Sequence, residues 1–119
     1  MKKLKSSADL TKTYCFDLDG VICKTHMNHY KKSKPISKAI KKINSLYFEG
    51  HQIIIFTARF MGRNNENIHL AKKQGYNFTL SQLKKWKLKF HKLILGKPSY
   101  DFIVDDKSIN FKNWVKNIK

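Results

Sequence analysis

Two pairs of carboxylates stand out in a chain that has only eight acidic residues among 119. Asp17 and Asp19 lie in the run Thr-Tyr-Cys-Phe-Asp-Leu-Asp-Gly-Val at 13–21, and Asp105 and Asp106 follow the apolar run Phe102-Ile103-Val104. Alternate residues of a strand share a face, so Asp17 and Asp19 can reach one site. Crowded carboxylates are costly without a cation or a shared proton among them. A hard divalent ion with oxygen ligands, Mg²⁺ above all, suits such a cluster. Asp17, its charge compensated by the ion, could attack phosphorus and form an aspartyl-phosphate. Asp19 could protonate the leaving alkoxide and then deprotonate the attacking water. Thr57, Lys97 and the turn amides near Leu18 and Ala58 would bind the phosphoryl oxygens, and Asp105 with Asp106 would complete the metal's ligands.

These residues come from distant stretches, so the elements between them must bring them together. The β-prone residues Tyr14–Leu18 predict a first strand. Gly20–Lys34 reads as a loop or small flap carrying His26, His29 and Tyr30 among lysines, with the histidines as surface residues. Pro35 suits the first turn of a helix in which Ile36, Ile40, Ile43 and Tyr47 recur until Gly50. His51–Phe56 is a second strand, short and β-branched, stopping at Thr57-Ala58-Arg59. One short helix is expected from Ile68 to Gly75 and a second from a Thr79 cap through Leu80, Leu83 and Trp86. Lys89–Leu95 predicts strand three and Asp101–Val104 strand four. Phe111, Trp114, Val115 and Ile118 predict a closing helix, and residues 1–12 a polar leader. Alternating strands and helices imply an α/β fold with a mostly parallel sheet and helices on both faces, in one Rossmann-like domain over 1–119. Ligands of such sheets lie beyond the carboxyl ends of the strands, where Asp17, Asp19, Thr57, Lys97, Asp105 and Asp106 all fall.

The order and text of these segments resemble the four motifs of the haloacid dehalogenase (HAD) superfamily of phosphatases. The likeness rests on Asp17-Leu-Asp-Gly-Val, the apolar strand into Thr57, Lys97-Pro98 and Val104-Asp105-Asp106, and it spans about Tyr14 to Asn110. Ile55-Phe56-Thr57-Ala58-Arg59 and Gly96-Lys97-Pro98-Ser99-Tyr100-Asp101 are similar to small capless members linked to capsule and polysaccharide biosynthesis. The resemblance implies Asp17 as nucleophile, Asp19 as acid/base with its main-chain oxygen on Mg²⁺, Asp105 as metal ligand, and no large cap. Val21 stands where many members have threonine.

Composition narrows the rest. The longest unbroken apolar run, Ile53–Phe56, is too short to span a bilayer, and the first ten residues lack the apolar core of a signal peptide, so a cytoplasmic protein is expected. Cys15 and Cys23 are then free thiols. The net charge of +17 raises nucleic acid as a partner, yet 23 of the 25 basic residues are lysine rather than the arginine that bidentate recognition favours. Arg59 divides between substrate contact and structural pairing. The leading expectation is a phosphomonoesterase acting on a small sugar phosphate; a polynucleotide end-phosphatase or nucleic-acid-binding protein on the same fold is the alternative. A core this small leaves its site mouth open, which points to a homo-oligomer with the flap Gly20–Lys34 meeting the neighbour.

Overall fold

Alternation of apolar residues lays down the sheet and helical spacing lays down its cover. The computed structural model describes residues 11–116. In chain order the elements are β1 (Thr13–Phe16), β2 (Cys23–Lys24), β3 (Lys34–Pro35), α1 (Ser37–Phe48), β4 (Gln52–Thr57), α2 (Ile68–Lys85), β5 (Lys92–Leu95) and α3 (Phe111–Lys116). β1, β4 and β5 form a parallel sheet in that spatial order, with Phe16 level with Ile55, Ile55 with Leu93 and Thr57 with Leu95. β2 and β3 pair antiparallel, so the expected flap is a small hairpin. The molecule is an α/β fold without a cap insert among the described residues, and no helix is long and apolar enough to cross a membrane.

Phe16, Ile53, Ile55, Leu93 and Leu95 share one sheet face and form a single core with Ile40 and Ile43 of α1 and Leu83 of α2. Trp114 of α3 joins it, its ring 5.2 Å from that of Phe16. Both crossovers step in the same direction across the sheet, and right-handed connections therefore lay α1 and α2 on the same side. Thr13, Cys15, Lys92 and Ile94 on the other face are exposed. The expectation of helices on both faces is thus met on one face only among the described residues.

Local differences from the sequence reading have identifiable causes. Pro35 does not begin α1: it pairs with Cys23 in the hairpin, and Ile36 is the cap residue. Gly50 ends that helix as expected, its amide bonding back to the Tyr47 carbonyl. The two short helices expected between Ile68 and Trp86 are one helix of 18 residues. It starts at Asn67, whose side chain accepts from the Leu70 amide, and Thr79 is buried in its middle rather than capping anything. Gly75 is tolerated inside it because the Phe60 ring lies on that position: a Cβ there would collide with Phe60 Cδ2 and Cε2. Phe60 itself has φ +67°, a left-handed conformation that a bulky residue holds only when packing insists. Gly75→Ala is therefore expected to destabilise the fold by about 1–3 kcal/mol, the overpacking cost exceeding the helix-propensity gain. An unchanged or higher denaturation midpoint would show that the Phe60 ring can move aside freely.

Strand four is absent. Asp101–Asn110 forms neither strand nor helix, and every residue from Pro98 to Asn110 is exposed. Connectivity explains this. β5 lies at the far side of the sheet from the free edge of β1, and only Gly96–Tyr100 separates its end from the expected strand Asp101–Val104. A parallel return to the start of a strand needs a connection of a dozen or more residues. The run therefore has no way to lie parallel to β1 within its own chain. The leader residues 1–10 and Ile118 lie outside the described residues.

Candidate active site

Each parallel strand ends by delivering polar side chains to the same cleft, of about 340 Å³, lined by Asp17, Asp19, Thr57, Ala58, Arg59 and Lys97, with Asn28, Tyr30 and Tyr100 at its walls. After β1, the Leu18 amide donates to Asp17 Oδ1 at 2.9 Å, while the Leu18 carbonyl accepts from the amides of Val21, Ile22 and Cys23. That turn holds Asp17 and Asp19 against the sheet. After β4, Thr57 is buried and its hydroxyl accepts from the Arg59 amide at 3.1 Å. After β5, Gly96 takes φ +111°, open to glycine alone without strain, and turns Lys97 so that its amide reaches the Thr57 carbonyl. Its Nζ then stands 3.4 Å from Asp17 Oδ1 and 5.0 Å from the centre of the Tyr100 ring.

The electrostatics separate the two aspartates. Burial pushes the Asp17 carboxyl above its usual range, and this outweighs the nearby Lys97 ammonium. Burial alone would lower Lys97, but the Tyr100 hydroxyl and the Asp17 carboxylate more than offset it, so Lys97 is held above its ordinary range. Asp17 is thus a carboxylate incompletely compensated by its surroundings. Asp19, in contrast, is clasped by Arg59: Nε reaches Oδ2 and Nη2 reaches Oδ1, both at 2.9 Å. The Thr25 hydroxyl also donates to Asp19 Oδ1.

Arg59 is the one arginine of the core. Its side chain has no exposed surface, and beyond Asp19 it donates to Gln82 Oε1 of α2 at 2.6 Å and to Ser33 Oγ of the flap at 3.2 Å. Its guanidinium stacks 4.7 Å over the Tyr30 ring. Of the two roles between which Arg59 divides, the geometry favours structural pairing: Arg59 pins flap, helix and Asp19 together, with Nε, Nη1 and Nη2 each donating to a partner. Sequence reasoning missed Gln82 and Ser33, which carry no signal beyond their polarity, and left Tyr30 an unassigned flap residue. His26 and His29 are exposed, as expected of surface residues.

Asp105 and Asp106 are not brought to this cleft. Both are exposed, and Asp105 caps its own turn by accepting from the Lys107 amide at 3.1 Å, a bond that holds its carboxyl below the usual range. Their expected place rested on strand four, which the chain does not form by itself. Among the described residues no three His, Cys, Asp or Glu side chains converge. Asp17, half-buried and incompletely compensated by Lys97, suits a hard divalent cation, but a full oxygen shell calls for donors beyond those one chain gathers here. The buried Cys23 thiol, pushed up to about 11 by its burial, stays protonated beside Asp19.

No family model matches the chain, and no curated protein sequence does. Among solved structures, the crystal structure of an MCSG target from Vibrio cholerae is similar to it, with a TM-score of 0.81, 22% sequence identity, and 88% of each chain covered. At that identity the likeness establishes the α/β fold and carries no function with it.

Proposed function

We propose that this protein is a Mg²⁺-dependent phosphomonoesterase that passes through an aspartyl-phosphate on Asp17, acting on a small phosphorylated metabolite of the sugar-phosphate class. The observation that carries this reading is Asp17 beside Lys97, at 3.4 Å, with Thr57 and Ala58 lining the same cleft at the carboxyl ends of three parallel strands. The motif resemblance agrees with it. Lys97 and the Thr57 turn hold the phosphoryl oxygens, and the Asp17 carboxylate attacks phosphorus as the ester oxygen departs. Asp19 gives that oxygen its proton and later takes one from the hydrolytic water. With both oxygens accepting from Arg59, Asp19 exchanges a proton only by loosening part of that clasp. Mg²⁺, when bound, would offset the repulsion between the Asp17 carboxylate and the phosphoryl group, held by Asp17, the main-chain oxygen of Asp19 and a further carboxylate. The open, modest cleft fits a small substrate rather than a polymer.

Hydrolysis of p-nitrophenyl phosphate is expected to require Mg²⁺ and to stop in EDTA, returning when the ion is restored. Turnover at the same rate without divalent metal would remove this mechanism. A panel of sugar phosphates, nucleotides and phosphorylated DNA ends, assayed in Mg²⁺, then separates the small-metabolite reading from an end-phosphatase.

A further inference from the structure

The segment Asp101–Asn110 and the outer edge of β1 are two unsatisfied features of one chain. Phe102 is 88% exposed, Ile103 56% and Val104 98%, and their segment has no strand partner. Its described hydrogen bonds stay local, from Lys107 and Ser108 to Asp105 and from Lys112 and Trp114 to Asn110. Both ends are anchored, at Lys97 beside Asp17 and at Trp114 on Phe16, so the segment between them is an arm. β1 pairs only with β4, and its other edge carries no strand among the described residues. An unpaired edge is a template for another strand. The arm's run Asp101–Val104 has four residues, the length of β1.

We infer that the arm adds as a parallel strand to the β1 edge of a second copy of this chain, carrying Asp105 to that copy's Asp17 and Asp19. Three observations select a second copy. The five-residue connector Gly96–Tyr100 is too short for parallel pairing within the chain. Antiparallel pairing within the chain would carry Asp105 to the amino end of β1, away from the acids. The arm also holds three of the eight acidic residues, Asp101, Asp105 and Asp106, against one lysine, in a chain of net charge +17, so it is the part that a copy's basic body attracts. With Asp105 level with Asp17, Ile103 stands level with Cys15, and Val104 with the core residue Phe16. The site then has its third carboxylate, donated by the neighbour. This last consequence rests on the proposed phosphatase reading; the strand addition does not.

The native Cys15, exposed on β1, provides the test. Ile103→Cys full-length protein is treated with dibromobimane, which bridges neighbouring thiols, at mildly alkaline pH. The expected product is a species of twice the 14.0 kDa chain mass, or a multiple of it, absent from wild type and lost in Ile103→Cys/Cys15→Ser. A bridge within one chain, or no bridge, overturns the inference. In Mg²⁺, mixtures of Asp17→Asn and Asp105→Asn chains refolded together are expected to hydrolyse p-nitrophenyl phosphate well above either alone, since one site then unites an intact Asp17 with the other chain's intact Asp105. No such recovery, with wild type active, would refute the sharing of Asp105. Wild type inactive on every phosphate ester would instead defeat the phosphatase reading, and the cross-link alone would decide the strand addition.

Discussion

Asp17→Asn is expected to abolish phosphate-ester hydrolysis and, in the same molecule, to raise the melting temperature at neutral pH. An amide keeps the side chain's volume but cannot attack phosphorus, so the rate should fall by roughly 10⁴–10⁶-fold, as when other covalent nucleophiles are removed. The stability change has the opposite sign, and its cause is the incomplete compensation that the proposed attack on phosphorus draws on. Burial holds Asp17 above its ordinary range in the fold. As pH rises from acid, the unfolded chain gives up this proton first, and the folded state retains it longer. Stability contributed by this group is therefore present at low pH, declines through the window between the ordinary and the raised value, and stays lost at neutral pH. Asparagine has no such decline. Melts in EDTA at pH 7 and near pH 3 check it: the variant should exceed wild type at the first and match it at the second. A variant that melts lower at pH 7 would mean that the pairing with Lys97 outweighs the burial.

Arg59→Met should be the most damaging single change outside the proposed catalytic pair, Asp17 and Asp19. Breaking a buried pair by removing one partner costs about 3–5 kcal/mol. Asp19 retains some contact with water, its side chain 27% exposed, which favours the lower end of that range. For a chain of 119 residues, at about 4 °C per kcal/mol, the loss corresponds to roughly 12–20 °C in melting temperature. Gln82 and Ser33 lose a donor at the same time, so the flap should loosen from α2 and become sensitive to protease between Gly20 and Lys34. Arg59→Met/Asp19→Asn should lose less than the two single changes added together, because each single change leaves a charge or acceptor unanswered. A loss below 1 kcal/mol for Arg59→Met would show that the guanidinium does not hold these elements together.

Much of the site was legible because it depends on short-range pattern. Apolar runs ending in Asp17 and Thr57, and the Gly96-Lys97-Pro98 turn, are local signals, and parallel topology brings such strand ends to one edge. What was not legible depends on contacts between remote segments. Nothing near Arg59 announces that Gln82 and Ser33 will fill its donors. Gly75 reads as a break until the Phe60 ring is laid on it. Phe102-Ile103-Val104 has the composition of a strand, yet a strand needs a reachable partner, and the length of Gly96–Tyr100 decides that rather than the apolar residues themselves. Asp105 and Asp106 followed their strand out of the cleft.

The order β1-β4-β5 also sets a timetable for synthesis. Among the described strands β1 is the first to leave the ribosome, and β4 and then β5 extend the sheet away from it, always on the same side. Nothing made later in the described chain returns to the outer edge of β1. At about 5–20 residues per second, several seconds separate β1 from the arm at residues 101–110. Throughout that interval an open backbone edge is carried past neighbouring ribosomes on the same message, each trailing an identical chain. Rapid overproduction should therefore crowd incomplete chains edge to edge and yield insoluble protein, and slowing translation at low temperature should recover it in the supernatant.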